Sequence, residues 1–277
     1  MSQRAQEATG PPQQRRLPVA SVYPAGPPRR PGMPGTRQDG VVPGSTSSIT
    51  LASLNLHAGL TSRGEPFDVA GACRRVKADI LALQEVWRPD GHQDGVTQVA
   101  AELGATVRHR GLAIRTSRAR LGVGADSGPG SWGLAVLSLL PITGYQEISL
   151  GRAPGDRITR AAQVLTVTTP GGTPLRVVNT HLTHRLTSPA QLAALAWQLA
   201  ASRQPTVIAG DLNMPRLATR AALGYHPVLS GRTFPADLPL IQLDHLLVRG
   251  RVAASGGEVL DPVGSDHLPI RAQLSVG

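Results

Sequence analysis

Cysteine, lysine and aromatic residues are scarce in this sequence of 277 residues. A single cysteine, Cys73, excludes an internal disulfide and any zinc site built mainly from thiolates. The one lysine, Lys77, does not follow a glycine-rich loop, so a Walker A nucleotide site is excluded. Aromatic residues make up 3% of the chain, which leaves little material for stacking single-stranded bases.

Long hydrophobic runs are missing as well. No stretch approaches the roughly 18 apolar residues of a membrane-spanning helix. The N-terminus also has no apolar segment followed by a small-residue cleavage site. From these absences we expect a cytoplasmic protein with no transmembrane segment, and we expect a monomer.

The first 47 residues differ in composition from the rest of the chain. They contain nine prolines, six glycines and six arginines against two acids, with almost no apolar periodicity. This composition predicts a disordered Pro/Gly/Arg-rich arm over 1–47 and a single domain over 48–277. The formal charge of the chain is +10, which favours an encounter with nucleic acid or an acidic membrane surface. A compositional bias towards arginine explains the same charge without any partner.

Short β-branched apolar runs alternate with helical patterns in the domain. The predicted strands are 49–55, 79–84, 132–138, 162–168, 175–180, 206–209, 243–248 and 268–274. The predicted helices are 69–77, 93–103 and 189–202, the last with Ser188 placed to cap it. Residues 122–130 are rich in glycine and predict a long loop. Several strands are apolar throughout, which indicates a layered α/β domain.

Polar residues gather where these strands begin or end. They are Asn55, His57, Glu85, Asn179, His181, His184, Asp211, Asn213, Asp244, Asp266 and His267. Ligand sites of layered α/β domains collect at strand ends. Several carboxylates in one cleft repel one another unless a cation lies among them, and oxygen ligands without thiolates favour Mg²⁺ or Mn²⁺. Metal, acid and imidazole together indicate hydrolysis of a phosphate ester.

Each of these residues also has an ordinary structural explanation. Aspartate and asparagine after a strand are usually turn or cap residues, and a lone Asp-His pair is usually a local hydrogen bond. What favours the functional interpretation is that the residues recur in a definite order along the chain.

That order resembles the endonuclease/exonuclease/phosphatase superfamily, metal-dependent phosphoesterases that include pancreatic-type deoxyribonucleases, abasic-site endonucleases, bacterial sphingomyelinases and inositol-polyphosphate phosphatases. The matching segments are 54–57, 83–86, 179–182, 210–213, 243–245 and 265–267. The resemblance spans about 49–274. It implies a four-layer α/β sandwich, with two mixed β-sheets face to face and helices on the outside.

The resemblance also implies roles for the matching residues. Glu85 is implied as the main metal ligand, helped by Asn55 and Asp266. By the same resemblance, Asp211 would activate the attacking water and Asn213 would bind a phosphoryl oxygen. His267, oriented by Asp244, would stabilise the developing charge or exchange a proton. His181 would contact the phosphate or protonate the leaving group. Arg160 is either a second phosphate contact or a solvated arginine that begins a strand.

The chain departs from one branch of the superfamily. His57 stands where abasic-site endonucleases usually carry an acid, and those enzymes usually lack the histidine matched by His181. We therefore expect a Mg²⁺- or Mn²⁺-dependent phosphoesterase, first of all a nuclease acting on DNA or RNA. The alternatives are a sphingomyelinase-like or inositol/lipid phosphatase acting on a small or lipid phosphate ester, and an inactive binding module of the same fold. A serine hydrolase is excluded because no G-x-S-x-G elbow exists.

Overall fold

The computed structural model describes residues 48–125, 128–184 and 186–277, so the predicted arm over 1–47 lies outside the described residues. The strands in these ranges are β1 (Ser48–Asn55), β2 (Ile80–Pro89), β3 (Thr106–Thr116), β4 (Gly130–Ser138), β5 (Ile142–Gly151), β6 (Arg160–Thr168), β7 (Pro174–His181), β8 (Thr206–Asp211), β9 (His226–Pro227), β10 (Asp244–Arg249), β11 (Val252–Val259) and β12 (Ile270–Val276). The helices are α1 (Val69–Val76), α2 (Gly95–Leu103), α3 (Arg118–Leu121) and α4 (Ser188–Leu199), with 3₁₀ turns at His57–Gly59 and Arg216–Ala221.

Two mixed sheets of six strands each form the body of the domain. The first has the order β11-β12-β1-β2-β4-β3 and the second has the order β5-β6-β7-β8-β10-β9. Each sheet contains one central parallel pair, β1 with β2 and β7 with β8, among antiparallel neighbours. The ends of these parallel pairs therefore lie at the same edge of the domain.

Three hydrophobic clusters define the layers. One fills the space between the sheets and includes Leu51, Val177 and Val207. A second packs α1 and α2 on the outer face of the first sheet, and a third packs α4 on the outer face of the second. A strand whose residues are apolar on both faces is covered by another layer on each side. The expected four-layer sandwich is confirmed.

Helices α1 and α2 each begin at an aspartate whose side chain caps the helix. Asp68 accepts a hydrogen bond from Gly71 N at the start of α1, and Asp94 accepts one from Thr97 N at the start of α2. The expected cap of α4 is wrong, because Ser188 is the first helical residue and its hydroxyl donates to Asn213 O instead. The preceding residue, Thr187, gives no side-chain cap.

The outer strands were not predicted from the sequence. β3 and β5 alternate between exposed and half-buried residues and include arginine, glycine and glutamine, so their apolar pattern is weak. β9 and β11 were also missed, since one is two residues long and the other is largely exposed. In the predicted long loop, residues 126 and 127 lie outside the described residues. Among the described helices, none is long and apolar enough to cross a membrane.

Candidate active site

A cavity of about 550 Å³ opens at the edge where the two parallel pairs end. The residues predicted from the sequence that line it are Glu85, Arg160, His181, Asp211, Asn213, Asp266 and His267. Asn55 and Asp244 lie directly behind this wall, with Asn55 bonded to Glu85 and Asp244 bonded to His267. The structure thus brings all of the predicted site residues together at one place.

Glu85 reaches the cavity because β2 is irregular at that point. The pairing of β2 with β4 shifts between Leu83 and Val86, and Glu85 adopts a left-handed backbone with φ of 51°. Such a conformation is uncommon for a residue with a Cβ and persists only where the surrounding contacts enforce it. The side chain of the preceding residue, Gln84, is buried between the sheets and donates to Asn179 Oδ1 at 2.8 Å.

Asn55 connects the two sheets at the floor of the cavity. Its Nδ2 donates to Glu85 Oε1 at 3.2 Å and to Asp211 Oδ2 at 3.0 Å, while its Oδ1 accepts from His57 N at 3.0 Å. The Ser265 hydroxyl donates to the backbone oxygen of Asn55 at 2.6 Å. In this arrangement the amide of Asn55 orients two carboxylates that come from different sheets.

Asp211 is the last residue of β8 and follows a glycine within the strand. Gly210 has φ of 146°, and a Cβ at this position would lie 1.9 Å from Thr180 O on the neighbouring strand, so this position requires glycine. Asp211 Oδ1 accepts from Asn213 N at 2.9 Å. Burial raises the pKa of Asp211 to about 7, the charge of Asp244 acts in the same direction, and His267 opposes both. A carboxyl with that pKa suits general-base chemistry at neutral pH.

His267 and Asp244 form a buried pair beside Asp211. His267 Nδ1 lies 2.8 Å from Asp244 Oδ2, and its Nε2 lies 3.8 Å from Asp211 Oδ2. Burial by itself lowers the pKa of His267, but the charges of Asp244 and Asp211 outweigh it and raise the pKa to about 10. The imidazole is therefore protonated at neutral pH and presents N–H to the cavity.

His181 is held differently. Asn213 Nδ2 contacts both the Leu182 carbonyl oxygen and His181 Nε2 at 3.0 Å. Since the carbonyl can only accept, this nitrogen donates, and His181 Nε2 must accept. Burial, assisted by the positive charge of Arg160, holds the pKa of His181 well below its usual value. His181 is thus neutral here, and among the described residues its buried Nδ1 has no hydrogen-bond partner.

Arg160 is buried and lines the cavity. The expected alternative of a solvated arginine is wrong, because the residue is only 4% exposed. Its Nε donates to Asp156 Oδ2 at 3.0 Å, and its guanidinium lies 5.7 Å from the ring centroid of Trp132. Within the described ranges, Nη1 of Arg160 has no hydrogen-bond partner.

Asp266 lies on the other side of the cavity next to His57, with 3.7 Å between its Oδ1 and His57 Nδ1. The last strand was predicted to begin at residue 268 but begins at Ile270, and residues 264–269 form a loop that precedes it. This loop is the reason why consecutive residues can face different partners. Asp266 turns towards the cavity and His267 turns towards Asp244.

Three functional cavity residues were not predicted from the sequence. Trp132 stacks at 5.6 Å from His181, Phe234 stacks at 4.8 Å from His267, and Asp156 fixes Arg160. Only the spacing of four residues between Asp156 and Arg160 could have pointed to such a pair. The aromatic positions carry no local signal, because both rings become part of the site only when distant segments meet.

Comparisons with known proteins support the family resemblance found in the sequence. The sequence profile of the Endonuclease/Exonuclease/phosphatase family matches residues 52–267. The uncharacterized protein YbhP of Escherichia coli strain K12 is 27% identical over 253 residues, which cover 82% of this chain and 96% of YbhP.

Solved structures show the same fold. An endonuclease/exonuclease/phosphatase from Beutenbergia cavernae superposes with a TM-score of 0.66 at 20% identity, over 83% of this chain and 72% of that one. The human Nocturnin catalytic domain with a bound sulfate anion gives a TM-score of 0.63 at 19% identity, over 83% and 95% of the two chains. At these identities the structural likeness concerns the fold alone.

Proposed function

Because the chain belongs to the Endonuclease/Exonuclease/phosphatase family, we propose that it hydrolyses phosphate esters by attack of water with the help of a divalent metal ion. The family indicates a hydrolase of phosphoester bonds. The observation that carries the proposal is the convergence of Glu85, Asp211 and the Asp244–His267 pair on one cavity. An inactive binding module would have no need of these buried ionisable groups, which cost stability.

The donor set fits Mg²⁺ or Mn²⁺. Among the described residues, no three acid, histidine or cysteine side chains form a complete metal cage. This is compatible with Mg²⁺, which binds through one or two carboxylates and keeps several waters. The carboxylates of Glu85 and Asp211 both accept from Asn55 Nδ2, at 3.2 Å and 3.0 Å, so two acidic groups lie close together here. Glu85 and Asp266, with Asn55, are the residues that would hold the ion, which when bound supplies positive charge to the phosphoryl oxygens.

The remaining residues divide the proton transfers and the phosphate contacts. Asp211 accepts the proton of the attacking water, since its carboxyl is poised near neutral pH. His267, protonated and fixed by Asp244, donates N–H to the developing phosphoryl charge. The unpaired Nη1 of Arg160 binds a phosphoryl oxygen. The phosphate contact expected for Asn213 conflicts with its hydrogen bonds, because both protons of its amide already go to Leu182 O and His181 Nε2, so Asn213 positions His181 instead. His181 contributes a neutral contact, because its low pKa prevents it from donating a proton at Nε2.

Nucleic acid is the first substrate class to consider. Its support is the formal charge of +10. Among the described residues that line the cavity, the aromatic side chains are Trp132, which is only 4% exposed, and Phe234, which is half-buried against His267. The nuclease assignment thus depends on charge alone.

A phosphate ester carried by a lipid is the second candidate, and a specific feature favours it. Leu186, Leu238 and Leu240 are exposed in loops next to the cavity, where a soluble nucleic acid gives them no apolar contact. Bacterial sphingomyelinase-like and lipid phosphatase activities both fall within this class.

The deciding experiment is hydrolysis of plasmid DNA, RNA, sphingomyelin and an inositol phosphate side by side, each with Mg²⁺, Mn²⁺ or a chelator. We expect turnover of at least one substrate class that the chelator abolishes. Turnover that persists in chelator would contradict the metal-dependent mechanism. Cleavage of nucleic acid alone would establish the nuclease, and cleavage of lipid alone would replace it.

A further inference from the structure

Three exposed leucines lie in segments whose neighbouring residues line the cavity. Leu186 is fully exposed, Leu238 is 66% exposed and Leu240 is 62% exposed. Leu186 follows His184, which lines the cavity, and the other two lie between Phe234 and Leu243, which also line it. A single exposed leucine needs no explanation, but several around one catalytic opening indicate a binding surface.

The loop that carries Leu238 and Leu240 is built to hold them outwards. Phe234 and Ile241 exchange two backbone hydrogen bonds of 3.0 Å, and inside this closed loop Leu240 N donates to Phe234 O at 2.9 Å. The Ala236 N–H also donates to Asp266 O at 2.7 Å. The exposure of the leucines thus belongs to a hydrogen-bonded loop that is tied directly to the catalytic segment.

The segments that join β3 to β4 and β5 to β6 each have more arginines than acids. Between β3 and β4 the sequence has Arg118 and Arg120 against Asp126, and between β5 and β6 it has Arg152 and Arg157 against Asp156, which is bonded to Arg160. Arg120 and Arg157 are exposed, and Arg157 Nη1 donates to Arg120 O at 3.3 Å. Leu121 and Val123 from the first of these segments line the cavity next to Arg157. The opening thus combines apolar side chains with positive charge.

We propose that this rim, formed by Leu186, Leu238, Leu240, Arg120 and Arg157, docks the protein on an anionic lipid surface and presents the cavity to a phosphate ester held in that surface. Leucines enter the boundary between head groups and acyl chains, while arginines attract anionic head groups. Nucleic acid matches only the arginines, and a lipid surface matches both sets. The role of the rim in presenting substrate to the cavity rests on the proposed phosphoesterase function.

The test is co-sedimentation of the full chain with vesicles of phosphatidylcholine, either alone or with one third phosphatidylglycerol. We expect the wild type to bind the anionic vesicles and the double variant L238S/L240S to bind them at least tenfold more weakly. A matched control is L139S/L223S, since these leucines are 48% and 84% exposed at the other end of the domain. Leu139 follows Ser138, which pairs with the first residue of β2, and Leu223 precedes His226, which pairs with Val248 far from Asp244. The control should bind like the wild type.

The outcomes separate the rim from the chemistry. A wild type that stays in the supernatant, or equal binding by wild type and L238S/L240S, would overturn the docking surface. Dimerisation of the wild type that is lost in L238S/L240S would assign the rim to a second copy and overturn it too. The wild type is also assayed on soluble bis(p-nitrophenyl) phosphate with Mg²⁺ or Mn²⁺, without vesicles. Vesicle binding without turnover of this diester or of any of the four substrates named above would refute the proposed hydrolase and leave the docking surface standing.

Discussion

The space between the two sheets has an apolar half and a polar half. Along β1 the inward-facing residues are Ile49 and Leu51, followed by Ser53 and Asn55. β7 repeats the change, with Leu175 and Val177 followed by Asn179 and His181. The two halves are buried to a similar extent and differ in chemistry. The apolar half gains free energy by removing surface from water, whereas the polar half must find partners for every group it buries.

The polar half meets this demand with amides that bridge the sheets. Asn179 Nδ2 donates to the carbonyl oxygens of Leu83 and Ala135 and to Gln163 Oε1, while Gln84 Nε2 donates to its Oδ1. Nearer the cavity, the hydrogen bonding of the buried polar groups is incomplete. Among the described residues, buried atoms of His181, Asp244, Arg160 and Trp132 have no hydrogen-bond partner. The comparison teaches that stability resides mainly in one half, and that the other half keeps unsatisfied groups where substrate would bind.

The largest expected effect comes from removing the charge of Asp211. We expect Asp211→Asn to lower kcat by about 10²–10⁴-fold, which is the usual contribution of a general base, and to leave the fold intact. Steady-state kinetics and circular dichroism of the purified variant measure both quantities. The matched control is Asp261→Asn at an exposed position. A normal rate in Asp211→Asn would contradict the mechanism.

The next effect concerns the metal. Because Glu85 is the proposed main ligand, Glu85→Gln should lower activity and raise the metal concentration needed for half-maximal activity by at least about 10–100-fold. A titration of activity against Mg²⁺ and Mn²⁺ measures the shift, with Glu65→Gln at an exposed position as the control. If activity falls while the metal requirement stays the same, Glu85 has another role.

The apolar half should show the opposite behaviour. Leu51 is fully buried between the sheets, so Leu51→Ala should lower the free energy of unfolding by about 2–5 kcal/mol through lost burial and a new cavity. At a temperature where the variant is folded, its KM should match that of the wild type. Urea unfolding gives the stability, and the exposed Leu139→Ala should change it by less than about 0.5 kcal/mol. A Leu51 variant with full stability and lost activity would remove the contrast between the halves.

The last effect is a dependence of stability on pH. The pKa of Asp211 is raised to about 7 from its ordinary 3.8, so between pH 4 and 7 the folded state binds a proton that the unfolded state does not. Stability from this group therefore rises as pH falls from 7 to 4, by at most about 1.4 kcal/mol per pH unit. With chelator present, Asp211→Asn should be more stable than wild type at pH 7 and above. That advantage should shrink on acidification, and a constant or growing advantage would show that burial does not raise the pKa.

The inner strands could be predicted from the sequence because each has its own apolar run, as in β2 and β8. The edge strands could not, because β3 and β5 are largely solvated and their pairing depends on a neighbouring strand. For the site, the residue types and their order were sufficient to predict which side chains converge. The hydrogen bonds between these side chains could not be predicted. Arg160 in particular is buried by contacts with Asp156 and Trp132, and no local sequence pattern predicts these contacts.

The sequence by itself determined the change from apolar to polar residues along β1 and β7, because side chains on one face of a strand recur every second residue. It also determined the close approach of β8 to β7 at Gly210, where a Cβ would meet Thr180 O. Only the tertiary structure decided which polar ends meet. Asn55 and Asp211 are 156 positions apart and touch because two sheets pack face to face. That packing depends on contacts over the whole layer, and no local pattern encodes them.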